Sequence, residues 1–246
     1  MYRFFIEEHQ IQEEYIYIEG EDFNHMKNVL RMKEGEHIYI STGKDLEYEC
    51  EIEGFEESRV KARIVDVHGM ETELSTKLVL FQGIPKGDKM EFIIQKAVEL
   101  GVSEIVPVAM KRCVVKLDAK KAAKKVTRWN AIAHSAAKQS KRGIIPEVSE
   151  VKSYTEALCY ARELDEILVP YEEEKGIQYS KELVKQARNH KSIGIFIGPE
   201  GGFDGDEIQK VCEIGGKTLT LGKRILRTET AGMTMLSILM FELEEE

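Results

Sequence analysis

The chain has 246 residues, 42% of them hydrophobic and 32% charged, with a mean hydropathy of −0.33 and a formal net charge of −9. That composition excludes a disordered tract and a membrane-embedded bundle, and it leaves room for one large domain or two modest ones. The longest apolar stretch, 231–243, includes Thr234, Ser237 and Glu242 and falls short of the roughly 20 residues a bilayer crossing needs.

In chain order, the opening MYRFFIEEHQ turns acidic at Glu7 and Glu8, unlike a secretion signal. Short alternating runs at 15–18, 37–40, 48–52 and 60–67 predict strands. Between them, 22–30 predicts a helix with Asp22 as N-cap and Phe23, Met26 and Leu30 on one face. From Lys77 onward apolar runs alternate with helical periods. Strands are expected at 78–81, 105–108, 166–169, 193–197 and 218–221. Helices are expected at 89–100, 120–138, 181–188, 206–214 and 231–243. Met90, Ile93, Ile94, Ala97 and Val98 share the inward face of the first of these helices, and Gly101 closes it. Trp129 falls in apolar register with Val126, Ile132 and Ala133, which predicts core packing over base stacking. The reading is a small β-barrel-like module at 1–72 and an α/β domain at 73–246, its sheet mostly parallel and covered on both faces. A short acidic tail, 244–246, ends the chain.

Charge is unevenly spread along these segments. Residues 1–76 carry 8 basic and 19 acidic side chains, net −11. Residues 77–150 carry 15 and 7, net +8, and 151–246 carry 12 and 18, net −6. Eleven cations lie between Lys111 and Arg142 against one acid, Asp118. Such a run is either a solvated helix face or a surface for phosphate backbones, and charge alone leaves both open.

Three glycine-bearing loops follow expected strands. The first, 82–89, lacks the Gly-Lys-Ser/Thr of a P-loop. The second, Ile197-Gly198-Pro199-Glu200-Gly201-Gly202-Phe203, lacks the GxGxxG of a dinucleotide fold; its paired glycines either make a tight turn or let backbone approach a flat ligand. The third, 221–231, carries Lys223, Arg224 and Arg227 into the last helix, which Thr228 or Thr230 would cap, with Glu229 in its first turn. The six histidines are dispersed, the four cysteines lie far apart with no CxxC pair, and no GxSxG elbow is present. Neither a metal site, a disulfide framework nor a hydrolytic nucleophile is expected, and the protein is expected to be cytoplasmic.

Taken together, the blocks resemble one family. IGPEGGF at 197–203 and LGKRILRTETA at 221–231 are similar to the motifs of the RsmE family of 16S ribosomal RNA (uracil-N3) methyltransferases. FQGIPKGDKM at 81–90, IQKAVELGV at 94–102, KRCVV at 111–115, Arg128-Trp129 and AAKQSKRG at 136–143 agree, as do Arg3-Phe4-Phe5 and HMKNVLR at 25–31 with Gly35.

This resemblance implies a SPOUT-type domain with a C-terminal trefoil knot, an N-terminal PUA-like barrel for RNA, S-adenosylmethionine as methyl donor and a homodimer. It implies uridine 1498 of 16S RNA, within the small ribosomal subunit, as the target, with no membrane or metal partner. On the matching positions, the donor site would be built by Val169 and Pro170, by Ile197, Gly198, Pro199, Glu200, Gly201 and Gly202, and by Leu221, Gly222, Ile225, Leu226 and Thr230. Arg227 is the first candidate to stabilise a deprotonated imide, with Arg112 and Arg142 next and Glu229 either a general base or a helix-dipole partner. Arg31, Lys111, Lys116, Lys138, Lys141 and Arg142 are the candidates for RNA phosphates. The acidic first module sits poorly with RNA unless Lys27, Arg31 and Lys33 gather on one face. Two other readings stay open: a knotted methyltransferase for another RNA such as transfer RNA, and a non-catalytic ribosome-assembly factor.

Overall fold

Alternation with period two puts every second side chain of a strand on one face, and the first seventy residues use that face as a core. A computed structural model describes residues 2–43, 46–69, 72–174 and 176–244; Glu245 and Glu246 of the acidic tail lie outside the described residues. Two units separate, Met1–Glu73 with Lys141–Ile145 and Leu74–Ser140 with Pro146–Glu246.

The first unit is a six-stranded sheet of β1 (Tyr2–Phe5), β2 (Ile11–Gln12), β3 (Tyr15–Glu19), β4 (His37–Ser41), β5 (Leu46–Phe55) and β6 (Arg59–Gly69). Its order is β1-β4-β5-β6-β3-β2, with β1 parallel to β4 and the other pairs antiparallel. Ile16 and Ile18, Ile38 and Ile40, Cys50 and Ile52, and Val60 and Ala62 bury one face against Phe23 and Met26. The helix between β3 and β4 is α1 (Gly20–Asn24), continued as a π-helix over His25–Leu30 and closed by Arg31 at φ 53. Asp22 is not its N-cap. β3 runs to Glu19 and Gly20 turns the chain at φ 67, so the helix starts earlier and Asp22 falls in its first turn.

Residues 141–145 pack with this unit. The Arg142 Nε donates to both Glu73 carboxylate oxygens, at 3.0 and 2.9 Å, while Gly143 and Ile144 N–H groups donate to Glu73 Oε1. Ser41 Oγ donates to Gly143 O at 2.7 Å.

The second unit contains β7 (Lys77–Gly83), α2 (Lys89–Glu99), β8 (Glu104–Ala109), α3 (Ala119–Gln139), β9 (Glu147–Val148), β10 (Lys152–Ser153), α4 (Tyr154–Ala161), β11 (Glu166–Pro170), α5 (Ile177–Gln186), β12 (Ser192–Ile197), α6 (Gly205–Glu213), β13 (Lys217–Leu219) and α7 (Thr228–Leu243). The strands pair in the order β10-β8-β7-β12-β11-β13, with β9 also on β8, and every pairing is parallel. Val79, Phe81, Val106, Val108, Ile167, Val169 and Phe196 fill one core, where Phe81 stacks on Phe196 with ring centroids 4.4 Å apart. Trp129 is fully buried, as its register requires.

In this unit α5 and α7 start three or more residues before their predicted positions. α5 begins at Ile177 because Gly176, at φ 102, makes the turn without a capping side chain to read. α7 begins at Thr228. α4 went unread, although Ser153 and Glu156 form a capping box at its start. Among the described residues no helix is long and apolar enough to cross a membrane.

Candidate active site

All strands of the second sheet end on one edge, where open α/β sheets collect ligands. There the loops after β11, β12 and β13 enclose a cleft of about 360 Å³ walled by Ile197, Pro199, Phe203, Leu226 and Thr228. It adjoins an annex of about 100 Å³ under Pro170, Thr220, Leu221 and Gly222; Tyr171, Glu172, Ile225 and Ala231 line both. Two glycines permit this approach. A methyl on Gly83, the last residue of β7, would lie 2.7 Å from Pro199 N, and one on Gly198 would lie 3.1 Å from the Gly202 carbonyl carbon. Any side chain at either place pushes the loop outward.

The loops are stitched from below. Buried Gln82 donates from Nε2 to Gly83 O and Thr228 Oγ1, both at 2.9 Å, and the Thr228 hydroxyl donates to Gly198 O at 2.7 Å. Thr228 therefore does not cap α7 with its side chain; it is the first helical residue, and its hydroxyl ties the helix to the neighbouring loop. Arg227 holds the N-cap position through its backbone, its C=O accepting from Ala231 N–H at 2.8 Å. Its side chain is exposed, lines the cleft and makes no hydrogen bond or ion pair among the described residues.

A second set of contacts neutralises charge at the rim. Lys89 Nζ lies 3.1 Å from Glu200 Oε1 and 3.5 Å from Glu229 Oε2, joining the starts of α2 and α7 to the Gly198–Gly202 loop. The Glu200 bond raises the Lys89 ammonium above its ordinary value, burial partly opposing it. Burial pushes the Glu200 carboxyl up, but the hydrogen bonds it accepts from its own and the Lys86 N–H and from Lys89 outweigh this and hold it below the ordinary carboxylate value. Arg112 braces the back of the same loop, with Nη1 donating to Gly201 O at 3.0 Å. Lys111 is paired with Asp204 at 2.8 Å, a bond that raises the lysine and lowers the aspartate. Among the described residues no cluster of side chains could hold a metal ion.

Two family models match the chain. An RNA methyltransferase domain model matches residues 72–240, and an RNA methyltransferase PUA domain model matches 18–65. The ribosomal RNA small subunit methyltransferase E of Bacillus subtilis (strain 168) is 39% identical over 99% of this chain and 98% of its own length. The chain belongs to the RsmE family. The namesake enzyme of Mesomycoplasma hyopneumoniae (strain 232) is 35% identical, covering 96% and 98% of the two chains. The crystal structure of ribosomal RNA small subunit methyltransferase E from Neisseria gonorrhoeae bound to S-adenosyl methionine superposes with a TM-score of 0.80 at 34% identity, covering 96% and 95%.

In this RsmE family member, the residues expected at the donor site divide clearly. Pro170, Ile197, Gly198, Pro199, Glu200, Gly202, Leu221, Gly222, Ile225 and Leu226 line the cleft or its annex. Val169 lies in the strand core, Gly201 faces Arg112, and Thr230 sits in α7; none of the three lines either cavity. Lys89, Tyr171, Glu172, Phe203 and Thr228 line it as well, although none of the five is among the residues expected there from sequence. Of the catalytic candidates, Arg227 is in the cleft, while Arg112 and Glu229 are not among its lining residues.

The cations divide as well. Arg142 is 4% exposed and committed to Glu73, so it is a structural residue and is not available to a phosphate. Lys111 is committed to Asp204. Lys116 and Lys141 are exposed and make no ion pair among the described residues; Lys138 is half-buried on α3. In the first unit Arg59, Lys61 and Arg63 pair with Glu56, Glu53 and Glu51, whereas Arg31 and Lys33 make no such pair among the described residues and Lys27 lies over the Phe23 ring.

Proposed function

We propose that this chain transfers a methyl group from S-adenosylmethionine to N3 of a uridine in small-subunit ribosomal RNA, position 1498 of 16S RNA, acting as a cytoplasmic homodimer. The observation that carries the reading is the unpartnered Arg227 guanidinium, held over a cleft built from three loops on the C-terminal edge of a parallel sheet. The cleft fits the donor: apolar walls from Ile197, Phe203, Ile225 and Leu226 suit a flat adenine, glycines stand where side chains would fill the slot, and acidic and basic groups both reach a zwitterionic cation. Ile225, 83% exposed, is an apolar side chain left for a ligand to cover. A SAM-bound relative with the same fold adds to this. The strand order, in which β12 and β13 flank the earlier β11, supports a threaded, trefoil-knotted reading of the C-terminal half.

When bound, the donor supplies an activated methyl on a sulfonium. The protein's share is to position and to stabilise charge. N3 attacks only after losing its imide proton, and the resulting negative charge spreads onto the flanking carbonyl oxygens. Arg227 offers planar donors at the place where that charge develops, and fixed donors in a partly desolvated cleft are worth more than water. Glu229 acts as a positioning residue: it complements the α7 dipole and fixes Lys89, and its Oε2 is buried without a hydrogen bond. Arg112 holds the Gly201 turn. Exposed Lys116 and Lys141, with Arg31, contact RNA phosphates.

Incubation with labelled S-adenosylmethionine and unmethylated small subunits, followed by nucleoside mass spectrometry, tests the whole reading. N3-methyluridine formed only with the protein is the expected result. Donor binding without transfer to any ribosomal RNA would overturn the substrate assignment, and methylation of transfer RNA alone would replace it.

A further inference from the structure

Most charges around the cleft already have partners in the protein. Lys89 pairs with both Glu200 and Glu229, and Arg112 and Lys111 are turned toward the Gly201 carbonyl and Asp204. The loop after β11 carries three consecutive acids, and two are accounted for. Glu174 Oε2 accepts from Thr218 Oγ1 at 2.6 Å, and the Glu173 carboxylate lies against the Tyr171 phenol.

Glu172 is different. It makes no hydrogen bond or ion pair among the described residues, yet it lines both the cleft and the annex. A methyl on Gly202 would lie 3.5 Å from Glu172 Oε1, so the carboxylate reaches from its own loop across to the Gly198–Gly202 loop. Arg227, the one cation of the cleft left without a partner among the described residues, enters from the third loop and is assigned above to the anionic imide. An unpartnered carboxylate among acids that each have a hydrogen-bond or ionic partner in the protein is complementary to a cationic ligand.

We propose that Glu172 is the counter-ion of the methyl donor, pairing with a cationic centre at the donor's methionyl end. The inference rests on the donor reading above. In the transfer, the methyl carbon–sulfur bond breaks, the carbon–N3 bond forms, and the bonding pair returns to sulfur, which becomes a neutral thioether. The donor thus enters with two cationic centres, sulfonium and α-ammonium, and the product leaves with the ammonium alone. A carboxylate beside the sulfonium holds the donor more tightly than the product and speeds turnover by releasing the latter. One beside the ammonium holds both.

Calorimetry on the full-length protein distinguishes these cases. Kd is measured for S-adenosylmethionine and S-adenosylhomocysteine with the wild type, Glu172→Gln and, as a control on the same loop, Glu173→Gln. Glu172→Gln keeps shape and removes charge, and the pair is solvent-accessible, so the expected loss is about fivefold. It should shrink at high salt. Loss for S-adenosylmethionine alone places the sulfonium at Glu172, and loss for both places the ammonium there; either supports the proposal. Unchanged Kd for both, or an equal loss in Glu173→Gln, overturns it. A wild type that binds no S-adenosylmethionine at all sinks the donor reading itself, which is a separate failure.

Discussion

The two edges of the second sheet treat charge in opposite ways. At the N-terminal edge, ionisable groups close on one another. Lys77 donates to Glu104 Oε2 and to the Tyr160 hydroxyl, both at 3.0 Å, and buried Glu166 accepts from Lys217 with His190 Nε2 3.6 Å away. At the C-terminal edge Arg227 and Glu172 are left open to the cleft, as Lys223 and Arg224 are to its annex, while Lys89, Glu200 and Arg112 brace the loops around them. One sheet with one set of parallel strands thus carries a self-satisfied edge that serves stability and an unsatisfied one that serves a ligand. Strand direction explains the division: the connecting loops at the C-terminal edge lead into helix N-termini, where backbone donors and small residues suit ligands.

The comparison is tested most sharply by Arg227→Ala. This residue has no structural partner, so Tm should stay put and donor Kd should move by no more than about twofold. Turnover should fall about 100-fold or more, the usual cost of removing one charge-stabilising donor. Equal losses in Kd and turnover would make Arg227 a donor-binding residue instead.

Gly83→Ala attacks the same edge from beneath. The added methyl meets Pro199 N at 2.7 Å, so the Gly198–Gly202 loop has to move. Overpacking of this kind costs about 1–3 kcal/mol, or roughly 2–4 °C of Tm per kcal/mol in a chain of this size. Here Tm and donor affinity should fall together. Lys217→Ala does the reverse at the opposite edge. It strips buried Glu166 of its amine but leaves His190 nearby, so a loss of about 1 kcal/mol is expected, with donor Kd unchanged. A shift in Kd would mean that the two edges are coupled.

How much of this was legible in the sequence follows the same line. Period and alternation located most of the long elements, because Met90, Ile93, Ile94, Ala97 and Val98 on α2 and Ile38 and Ile40 on β4 obey a single burial pattern. Two-residue strands such as β9 and β10 leave no period to read. Glycine loops and Arg227 were visible as motifs, whereas Lys89 and Glu172 became site residues only when three distant loops met. Arg142 shows the converse. In a run of cations it reads as a phosphate contact, and only the return of residues 141–145 to Glu73 turns it into a buried ion pair.

The smallest expected effect is a pH dependence at the ligand edge. Glu200 titrates below its ordinary value of 4.5 in the folded protein, since the hydrogen bonds it receives outweigh its burial. A carboxyl held low when folded contributes stability above its unfolded pKa and loses it as the pH falls through the folded one. Lys89, raised by its bond to Glu200, stays charged throughout that range; its own contribution is present below 10.5 and lost only as the pH climbs through its raised folded value. Below 10.5, therefore, the brace between α2, α7 and the Gly198–Gly202 loop should weaken only as the pH falls through the folded Glu200 value. Thermal midpoints between about pH 3 and 5 should fall more steeply for the wild type than for Glu200→Gln, which has no proton to gain. Parallel curves would remove Glu200 from the brace and leave Lys89 tied to α7 only through Glu229.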